Sequence, residues 1–315
     1  MRELELWQAV VLGLVEGITE YLPISSTGHL VLAGAAMKLD VESQAVKDFS
    51  IVIQGGAILA VLGLYWPSII KMLNGLIGRD RDGLRLLINL VIAFIPSAVV
   101  GLLANKWIDA HLMGVGPVMA SVLVGGVFMI GVDLWSQGRL GKPRAWRREE
   151  KTIYDVTARQ ALTIGLLQCF ALWPGTSRSM MTITGGLFAG LRPAEAARFS
   201  FLLGLPTLTA ATFYKLYKNL SHARETGGKN LFEELGVTAC IVGIVVAAVS
   251  AAAAVKWLVS FLTRHGLAPF GWYRIGLFVV LLVLSLTGIL SIKGGTNSPA
   301  PEPQTVGPLT WPQER

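Results

Sequence analysis

Long apolar stretches alternate along this chain with short segments that hold most of its charge. Six of the stretches are long enough to cross a hydrocarbon core of ~30 Å as ordinary helices. They lie at residues 49–66, 84–104, 114–135, 199–215, 236–255 and 271–292. Tryptophans cluster at their ends, where an amphipathic ring prefers the membrane–water interface. The pattern predicts an all-α polytopic membrane protein with six transmembrane helices.

Two further apolar segments, 6–38 and 157–191, are each interrupted by polar sequence that contains a proline. The interruptions read LPISSTG in the first segment and WPGTSRS in the second. A polar break cannot face lipid, because its freed backbone groups would lack hydrogen-bond partners. Each segment is therefore interpreted as a re-entrant helical hairpin that enters and leaves on the same face. Two kinked full spans are the alternative.

The two halves of the chain resemble each other. GLVE at 13–16 matches GLLQ at 165–168, and PISS at 23–26 matches PGTS at 174–177. The pair Phe49-Ser50 returns as Phe199-Ser200. These matches occur in order at offsets of 152, 151 and 150 residues. They suggest a duplicated unit, with chance similarity among apolar helices as the alternative.

Such a unit would contain one hairpin and three spans, at about 5–136 for the first repeat and about 157–292 for the second. An odd number of spans inverts the second copy, so the broken helices of an inverted-topology repeat would meet near the midplane. We expect residues 1–292 to form a single integral membrane domain. Residues 137–156 are then a basic cytoplasmic linker, and 293–315 a disordered extracytoplasmic tail rich in Pro and Gly.

Composition and charge support this interpretation and orient it. The chain is 53% hydrophobic and 15% charged, too few charges to coat a water-soluble surface. Its net charge is +7, and the cations divide into ten on the face of the N-terminus and sixteen on the other, Arg274 among them. This bias places the second face in the cytoplasm, so the first hairpin opens outward. Because membrane orientation explains the cations, no nucleic-acid partner is expected.

Four ionisable residues fall inside the two hairpins, where charge is costly and marks a functional site. The first hairpin holds Glu16, Glu20 and His29, and the second holds Arg178. A spacing of four places both carboxylates on one helix face. Both breaks precede helices, whose free N–H groups and positive dipole ends favour anions. Since a planar guanidinium suits phosphate oxygens, the residues indicate a phosphate site.

A phosphate site that also has carboxylates suggests phosphoryl transfer. Ser26 is a candidate nucleophile, and His29 a candidate base for it or acid for the leaving phosphate. Arg178 would stabilise the developing charge. Glu16 and Glu20 could hold a divalent cation, Mg²⁺ or Ca²⁺. A direct general-base role for one glutamate is the competing assignment, and the sequence leaves both open.

GLVEGITEYLPISSTGHL and PGTSRSMMTITGG resemble the two signature motifs of the undecaprenyl-diphosphate phosphatase family, the bacitracin-resistance membrane phosphatases of bacteria. The resemblance extends over about residues 5–292. It implies hydrolysis of undecaprenyl diphosphate to the monophosphate carrier used in cell-wall synthesis, and hence bacitracin resistance. It also implies a divalent cation, an inverted-repeat fold in the bacterial inner membrane, and an active site facing the periplasm.

The family's functional residues fall on identifiable positions of this sequence. The resemblance places them at Glu16, Glu20, Ser26, His29, Arg178 and Thr182, with Ser25, Thr27 and Ser177 close by as phosphate-binding positions. The implied partners are the lipid diphosphate and membrane lipids, and a homodimer is left open.

One departure from the family pattern is the pair Met180-Met181, where related proteins commonly carry small residues. It bears on fine substrate preference rather than on the reaction. The rival interpretation is a secondary transporter or lipid flippase, since broken helices and inverted repeats are typical of those proteins too. Fold alone does not separate the two.

Overall fold

The computed structural model describes residues 4–39, 44–112, 114–140, 151–226 and 235–287, and within these ranges the regular secondary structure is entirely helical. The first six helices are α1 (Leu6–Glu20), α2 (Ser26–Ala36), α3 (Gln44–Leu64), α4 (Trp66–Leu76), α5 (Arg81–His111) and α6 (Val115–Ser136). The second half contributes α7 (Ala158–Cys169), α8 (Arg178–Phe188), α9 (Pro193–Thr226), α10 (Val237–Leu262) and α11 (Ala268–Leu286). The predicted all-α fold is confirmed.

Five of these helices are long and apolar enough to cross a membrane. The crossing segments are Val46–Leu64 in α3, Arg81–Ile108 in α5, Val115–Ser136, Val237–Leu262 and Ala268–Leu286. They coincide with five of the six predicted spans, although positions 288–292 of the last prediction lie outside the described residues. The protein is a polytopic α-helical membrane protein.

The sixth predicted span, 199–215, lies within α9, which is not among the five. Its hydropathy is lowered by hydroxyl residues that face other helices. The Ser200 Oγ lies 2.5 Å from a hydroxyl of α8, Thr207 donates to a side chain of α7 at 3.4 Å, and Thr212 donates to one of α3 at 3.3 Å. The three partners are Thr182, Gln168 and Gln54. A membrane crossing by α9 stays a prediction.

Helix α4 was not predicted from the sequence. It begins directly after α3, with Pro67 in its first turn, and packs against the start of α5. Gly75 and Gly83 make this contact close, because a Cβ at either position would meet backbone atoms of the other helix or of the turn before it. A run of eleven residues is too short to show a span-like pattern, so only the packing reveals it.

The two interrupted segments each form a pair of short helices joined by a break. The longest of the four, α1, has 15 residues and is therefore about 22 Å long, short of the ~30 Å hydrocarbon core. Helix α1 packs against α2, and α7 packs against α8. The helix–break–helix form agrees with the sequence interpretation. The position of each pair relative to the membrane faces stays a prediction.

Each pair also packs against a long helix from the other half of the chain. Helix α1 lies along α10, and α7 lies along α5. Glycines make both crossings close: a Cβ on Gly13 would lie 2.6 Å from the carbonyl oxygen of Gly243, and Gly165 approaches the backbone of Ala93 in the same way. Small residues at helix crossings are typical of membrane proteins. In a duplicated unit α1 corresponds to α7, and α10 corresponds to α5. Each short helix therefore packs against the counterpart of the other's partner, and this reciprocal packing supports the duplicated unit.

Candidate active site

The first break ends at a serine with an unusual backbone. Ser25 has φ 74°, and its side chain accepts a hydrogen bond from the N–H of Gly28 at 3.2 Å, so it caps α2. Positive φ is uncommon for residues other than glycine and costs free energy. The cap places Ser26 as the first residue of the helix, with its hydroxyl at the free N-terminal end.

The second break repeats this geometry. Ser177 has φ 75°, its side chain accepts from the N–H of Met180 at 3.3 Å, and Arg178 is the first residue of α8. The structure therefore equates Ser25 with Ser177, an offset of 152, whereas the letter match of PISS with PGTS gave 151. The proline of the second break lies one residue farther from its capping serine than the proline of the first break does. An alignment that superposes the two prolines is therefore shifted by one residue.

The two breaks meet through one carboxylate. Arg178 Nη2 donates to Oε1 of Glu20 at 3.1 Å, and the hydroxyl of Ser26 donates to Oε2 of the same side chain at 2.9 Å. The exposed fractions of the Arg178 and Glu20 side chains are only 9% and 7%. Residues separated by 158 positions in sequence thus form one buried cluster of a cation, an acid and a hydroxyl.

The Arg178 guanidinium is held from several sides. Its Nη1 donates to the carbonyl oxygen of Ser200 at 3.0 Å, and its Cζ lies 5.1 Å from the centre of the Tyr21 ring. A Cβ at Gly204 would lie 2.8 Å from Nη1, so only glycine leaves room for the guanidinium here. Helix α9 therefore orients this arginine in two ways: the Ser200 carbonyl accepts its hydrogen bond, and Gly204 leaves space for its guanidinium.

Glu16 lies one helical turn before Glu20 and is 2% exposed. Among the described residues, four buried side-chain atoms have no hydrogen-bond partner: Glu16 Oε2, Tyr21 Oη, Arg178 Nε and Thr184 Oγ1. Three of the four belong to or flank the Glu20–Arg178 pair. Because native proteins leave few buried polar atoms unsatisfied, their concentration marks this cluster as a site for a polar ligand.

The carboxylates fit the expected divalent cation in a limited way. Glu16 has an oxygen free to coordinate, whereas both oxygens of Glu20 already have protein partners. No group of three or more His, Cys, Asp or Glu side chains suited to a metal occurs in the described part of the chain. Mg²⁺ is commonly held by one or two carboxylates together with substrate phosphates rather than by a complete protein cage. Glu16 fits that mode of binding as it stands, and Glu20 fits it on giving up one of its two protein partners.

His29 lies in the first turn of α2 but is not paired with Ser26. Its Nδ1 is 2.7 Å from the carbonyl oxygen of Ser25, and its Nε2 is 2.7 Å from the hydroxyl of Tyr273 in α11. Thus the structure brings Ser26 to Glu20 and turns His29 to another helix. The sequence reasoning missed Tyr273, because an aromatic residue near the start of an apolar span is typical of the membrane interface.

Arg274 corrects the charge assignment made from sequence. It was counted among the cations of the cytoplasmic face, but its side chain is completely buried. Its guanidinium donates to carbonyl oxygens of α6 and of the second break at 2.8 to 3.2 Å. The acceptors are Ser121, Val122, Gly175 and Thr176. In the second break, the carbonyls of Gly175 and Thr176 are not used by a helix, so they can accept from Arg274 and stabilise its buried position.

The remaining predicted residues lie on α2 and α8, the helices that follow the breaks. Thr182 is fully buried, and its hydroxyl lies 2.9 Å from the carbonyl oxygen of Arg178 and 2.5 Å from Ser200 Oγ. Thr27 lies exposed in the first turn of α2. Met180 and Met181 are buried in the core of the protein, where their bulk fills space around α8.

Comparison with known proteins agrees with this site. The sequence profile of the family described as bacitracin resistance protein BacA matches residues 9–280. An undecaprenyl-diphosphatase of Sorangium cellulosum is 48% identical over 280 residues, which are 88% of this chain and 86% of the relative. One from Methylococcus capsulatus is 43% identical over 286 residues, 91% of this chain and 97% of the relative.

A third relative, undecaprenyl-diphosphatase 2 of Rhodospirillum rubrum, is 46% identical over 284 residues, 90% of this chain and 96% of the relative. The matched region extends from α1 into α11 and so includes both breaks and the cluster between them. This chain belongs to the family of bacitracin resistance protein BacA.

Proposed function

We propose that this protein hydrolyses undecaprenyl diphosphate to undecaprenyl phosphate and inorganic phosphate. The reaction recycles the lipid carrier for cell-wall synthesis and gives bacitracin resistance. The protein acts in the bacterial inner membrane, with its site open to the periplasm. The observation that carries the proposal is that Ser26 and Arg178, each the first residue of a helix, meet at Glu20, the last residue of α1. The names of the relatives support the same substrate.

Glu20 and Ser26 are arranged for nucleophilic attack. The Ser26 hydroxyl already donates to a Glu20 oxygen, so the carboxylate can take its proton as Oγ attacks the terminal phosphorus. The bond from that phosphorus to the bridging oxygen then breaks, and undecaprenyl phosphate leaves. Water hydrolyses the phosphoserine in a second step and releases inorganic phosphate. His29 remains as the acid for the leaving phosphate.

Arg178 and the two helix ends stabilise the transferred group. The guanidinium is fixed by Glu20 and by the carbonyl of Ser200, so it needs little reorganisation when charge develops on the phosphoryl oxygens. Free N–H groups at the starts of α2 and α8 add a positive potential on either side of the cluster. An arginine in this position is worth about 10³- to 10⁵-fold in rate in other phosphoryl-transfer enzymes.

The proposal includes a divalent cation, Mg²⁺ or Ca²⁺, held by Glu16 and Glu20 together with substrate oxygens. When bound, such a cation neutralises charge on the diphosphate. The protein's own contribution is the buried Glu16 carboxylate, which has a free oxygen one turn from the Ser26–Glu20 pair.

A lipid carrier remains the rival function. A carrier for an anionic lipid needs the arginine and the helix dipoles, but it does not need a hydroxyl hydrogen-bonded to a buried carboxylate. The Ser26–Glu20 contact at 2.9 Å therefore favours hydrolysis.

The deciding experiment is phosphate release from undecaprenyl diphosphate by the purified protein in detergent, with Mg²⁺ or Ca²⁺ and then with chelator. We expect release by the wild type, a loss of at least 10³-fold in Arg178→Ala, and full activity in Arg159→Ala, which removes an exposed arginine of α7. Folded wild-type protein that releases no phosphate under any metal condition would overturn the proposal. Lipid movement in vesicles would then be measured.

A further inference from the structure

The imidazole of His29 and the phenol of Tyr273 form a pair that joins the first break to α11. Their rings stack with centroids 5.5 Å apart and an interplanar angle of 6°, and His29 Nε2 is 2.7 Å from the Tyr273 hydroxyl. The other ring nitrogen, Nδ1, lies 2.7 Å from the carbonyl oxygen of Ser25. Both nitrogens of the histidine are therefore engaged by the protein.

These contacts fix where the protons are. A carbonyl oxygen only accepts, so the proton on Nδ1 must point to Ser25. In the neutral ring Nε2 is then an acceptor, and the Tyr273 hydroxyl donates to it. In the protonated ring Nε2 becomes a donor, and the hydroxyl accepts. One proton on His29 thus reverses this hydrogen bond and frees the hydroxyl proton of Tyr273 to donate elsewhere.

The pair faces a cavity of about 340 Å³ between α1, α2 and the start of α11. Most of its lining is apolar, with Leu14, Ile18 and Leu32 among the contributing side chains. Apart from His29 and Tyr273, its one polar side chain is Thr19, whose hydroxyl already donates to the carbonyl of Val15. An acidic or phosphate group that enters this cavity therefore meets the His29–Tyr273 pair as its hydrogen-bonding partner.

The charged groups around the pair are committed to other contacts. Arg274, the next residue in α11, donates to the carbonyls of α6 and the second break. Glu20 at the end of α1 is bound to Ser26 and Arg178. The Tyr273 hydroxyl is consequently the group that can exchange a proton both with His29 Nε2 and with a ligand in the cavity. Tyr273 is 50% exposed, so the side of its ring that does not face His29 is accessible.

We propose that Tyr273 relays the proton between His29 and the phosphate that leaves from undecaprenyl diphosphate, an inference that rests on the proposed function and extends it. Before the reaction, protonated His29 donates from Nε2 to the Tyr273 oxygen, and the Tyr273 hydroxyl donates to the bridging oxygen. As the bond between that oxygen and the terminal phosphorus breaks, the hydroxyl proton moves to the leaving phosphate. The Nε2 proton moves to the Tyr273 oxygen, which leaves neutral His29 and an intact phenol.

Tyr273→Phe tests the relay, because it removes the hydroxyl and keeps the ring that stacks on His29. We expect kcat for phosphate release to fall at least tenfold, with KM within twofold of the wild type and an unchanged thermal transition. Tyr217→Phe is the matched control, since Tyr217 is an exposed tyrosine of α9. Unchanged kcat in Tyr273→Phe, alongside an active wild type, would overturn the relay.

A double-variant cycle separates a relay through His29 from an independent contact. In a His29→Ala background, Tyr273→Phe should cause no further loss of kcat, because the phenol proton can no longer be replaced from His29 as it moves to the leaving phosphate. An equal loss of kcat in both backgrounds would mean that Tyr273 acts without His29 and would also overturn the inference. An inactive wild type contradicts the proposed hydrolysis itself, so the two failures are distinguishable.

Discussion

The two helix breaks are built alike at their ends and differently in their supports. Ser25 and Ser177 share a φ near 75° and cap the following helix in the same way. In the second break, however, the carbonyls are bound from outside: Arg274 donates to Gly175 and Thr176, and the Ser121 hydroxyl donates to Pro174 at 2.6 Å. Hydrogen bonds thus hold the second break to α6 and α11.

The first break instead engages groups that can exchange protons. The Ser25 carbonyl is bound by His29, and the hydroxyl of Ser26 is bound by Glu20. Under the predicted duplication, this difference corresponds to a specialisation of the two copies. One copy fixes a permanent cation, Arg178, on a rigid support, and the other carries the nucleophile, base and acid of the proposed reaction. Four changes test this division, from the largest expected effect to the smallest.

Glu20→Gln should have the largest effect, because Glu20 is the side chain through which the two breaks contact each other. It removes the base for Ser26 and the negative partner of Arg178 while keeping the shape of the side chain. We expect kcat for phosphate release to fall about 10³-fold, within the range for a lost general base. Glu195→Gln, in an ion pair with Arg198 away from this cluster, is the control and should retain activity. Retained activity in Glu20→Gln would exclude the carboxylate as base.

Arg274→Met should destabilise the second break and so reduce activity indirectly. The change leaves four carbonyls without their donor, and a buried acceptor left unsatisfied costs about 1–3 kcal/mol. We expect this loss in the free energy of unfolding, measured by denaturant titration in detergent. Arg264→Met, at an exposed position after α10, should leave the titration unchanged. Equal stability of the two variants would contradict a supporting function for Arg274.

Gly204→Ala should affect Arg178 without disturbing either break. The added Cβ would lie 2.8 Å from Nη1, so the guanidinium must shift by a few tenths of an ångström or more. Displacements of this kind at a preorganised site reduce rates, and we expect kcat to fall about tenfold. Gly63→Ala is a matched control, because a Cβ there meets no atom within 4 Å. Equal kcat in the two variants would show that the orientation of Arg178 is not set by α9.

Changes at the two capping serines should have the smallest effects and should be equal in the two breaks. Ser25→Gly and Ser177→Gly lose a cap but relieve a positive φ, so each should alter stability by about 0.5 kcal/mol or less. Ser25→Ala and Ser177→Ala lose the cap and keep the strain, and each should cost about 1–2 kcal/mol. Thermal unfolding of the four variants measures the difference. A glycine variant as unstable as its alanine counterpart would argue against backbone strain at that break.

The sequence predicted the spans and breaks well because both depend on local pattern. An apolar run of about 20 residues has one stable form in a membrane, and a polar run with a proline inside it cannot face lipid. Glu16, Glu20 and Arg178 were predicted for the same reason, since charge at membrane depth is costly wherever it lies. Helix α9 lacks the simple apolar pattern of the five span helices, and its hydroxyl groups form hydrogen bonds with side chains of three other helices.

Contacts between distant segments could not be predicted in this way. Ser26 and His29 are three residues apart, which suggested that they pair, but the break folds Ser26 back onto Glu20 instead. Arg274, near the start of an apolar span, was assigned to the cytoplasmic face, and nothing in the sequence pattern singled out Tyr273 beside it. Their partners lie on α2, α6 and the second break, and only the packing of α11 brings them together.

The exchange of partners between the halves has a consequence for how the chain is made. Helix α1 is synthesised first, yet the helix against which it packs contains Gly243, 230 residues after Gly13. At ~5–20 residues per second, the ribosome needs roughly 10–50 s to supply that partner. Until Arg178 is synthesised, 158 residues after Glu20, the Glu16 and Glu20 carboxylates have neither α10 nor that arginine beside them. Helix α1 therefore cannot complete its native packing until the second half of the protein has been made.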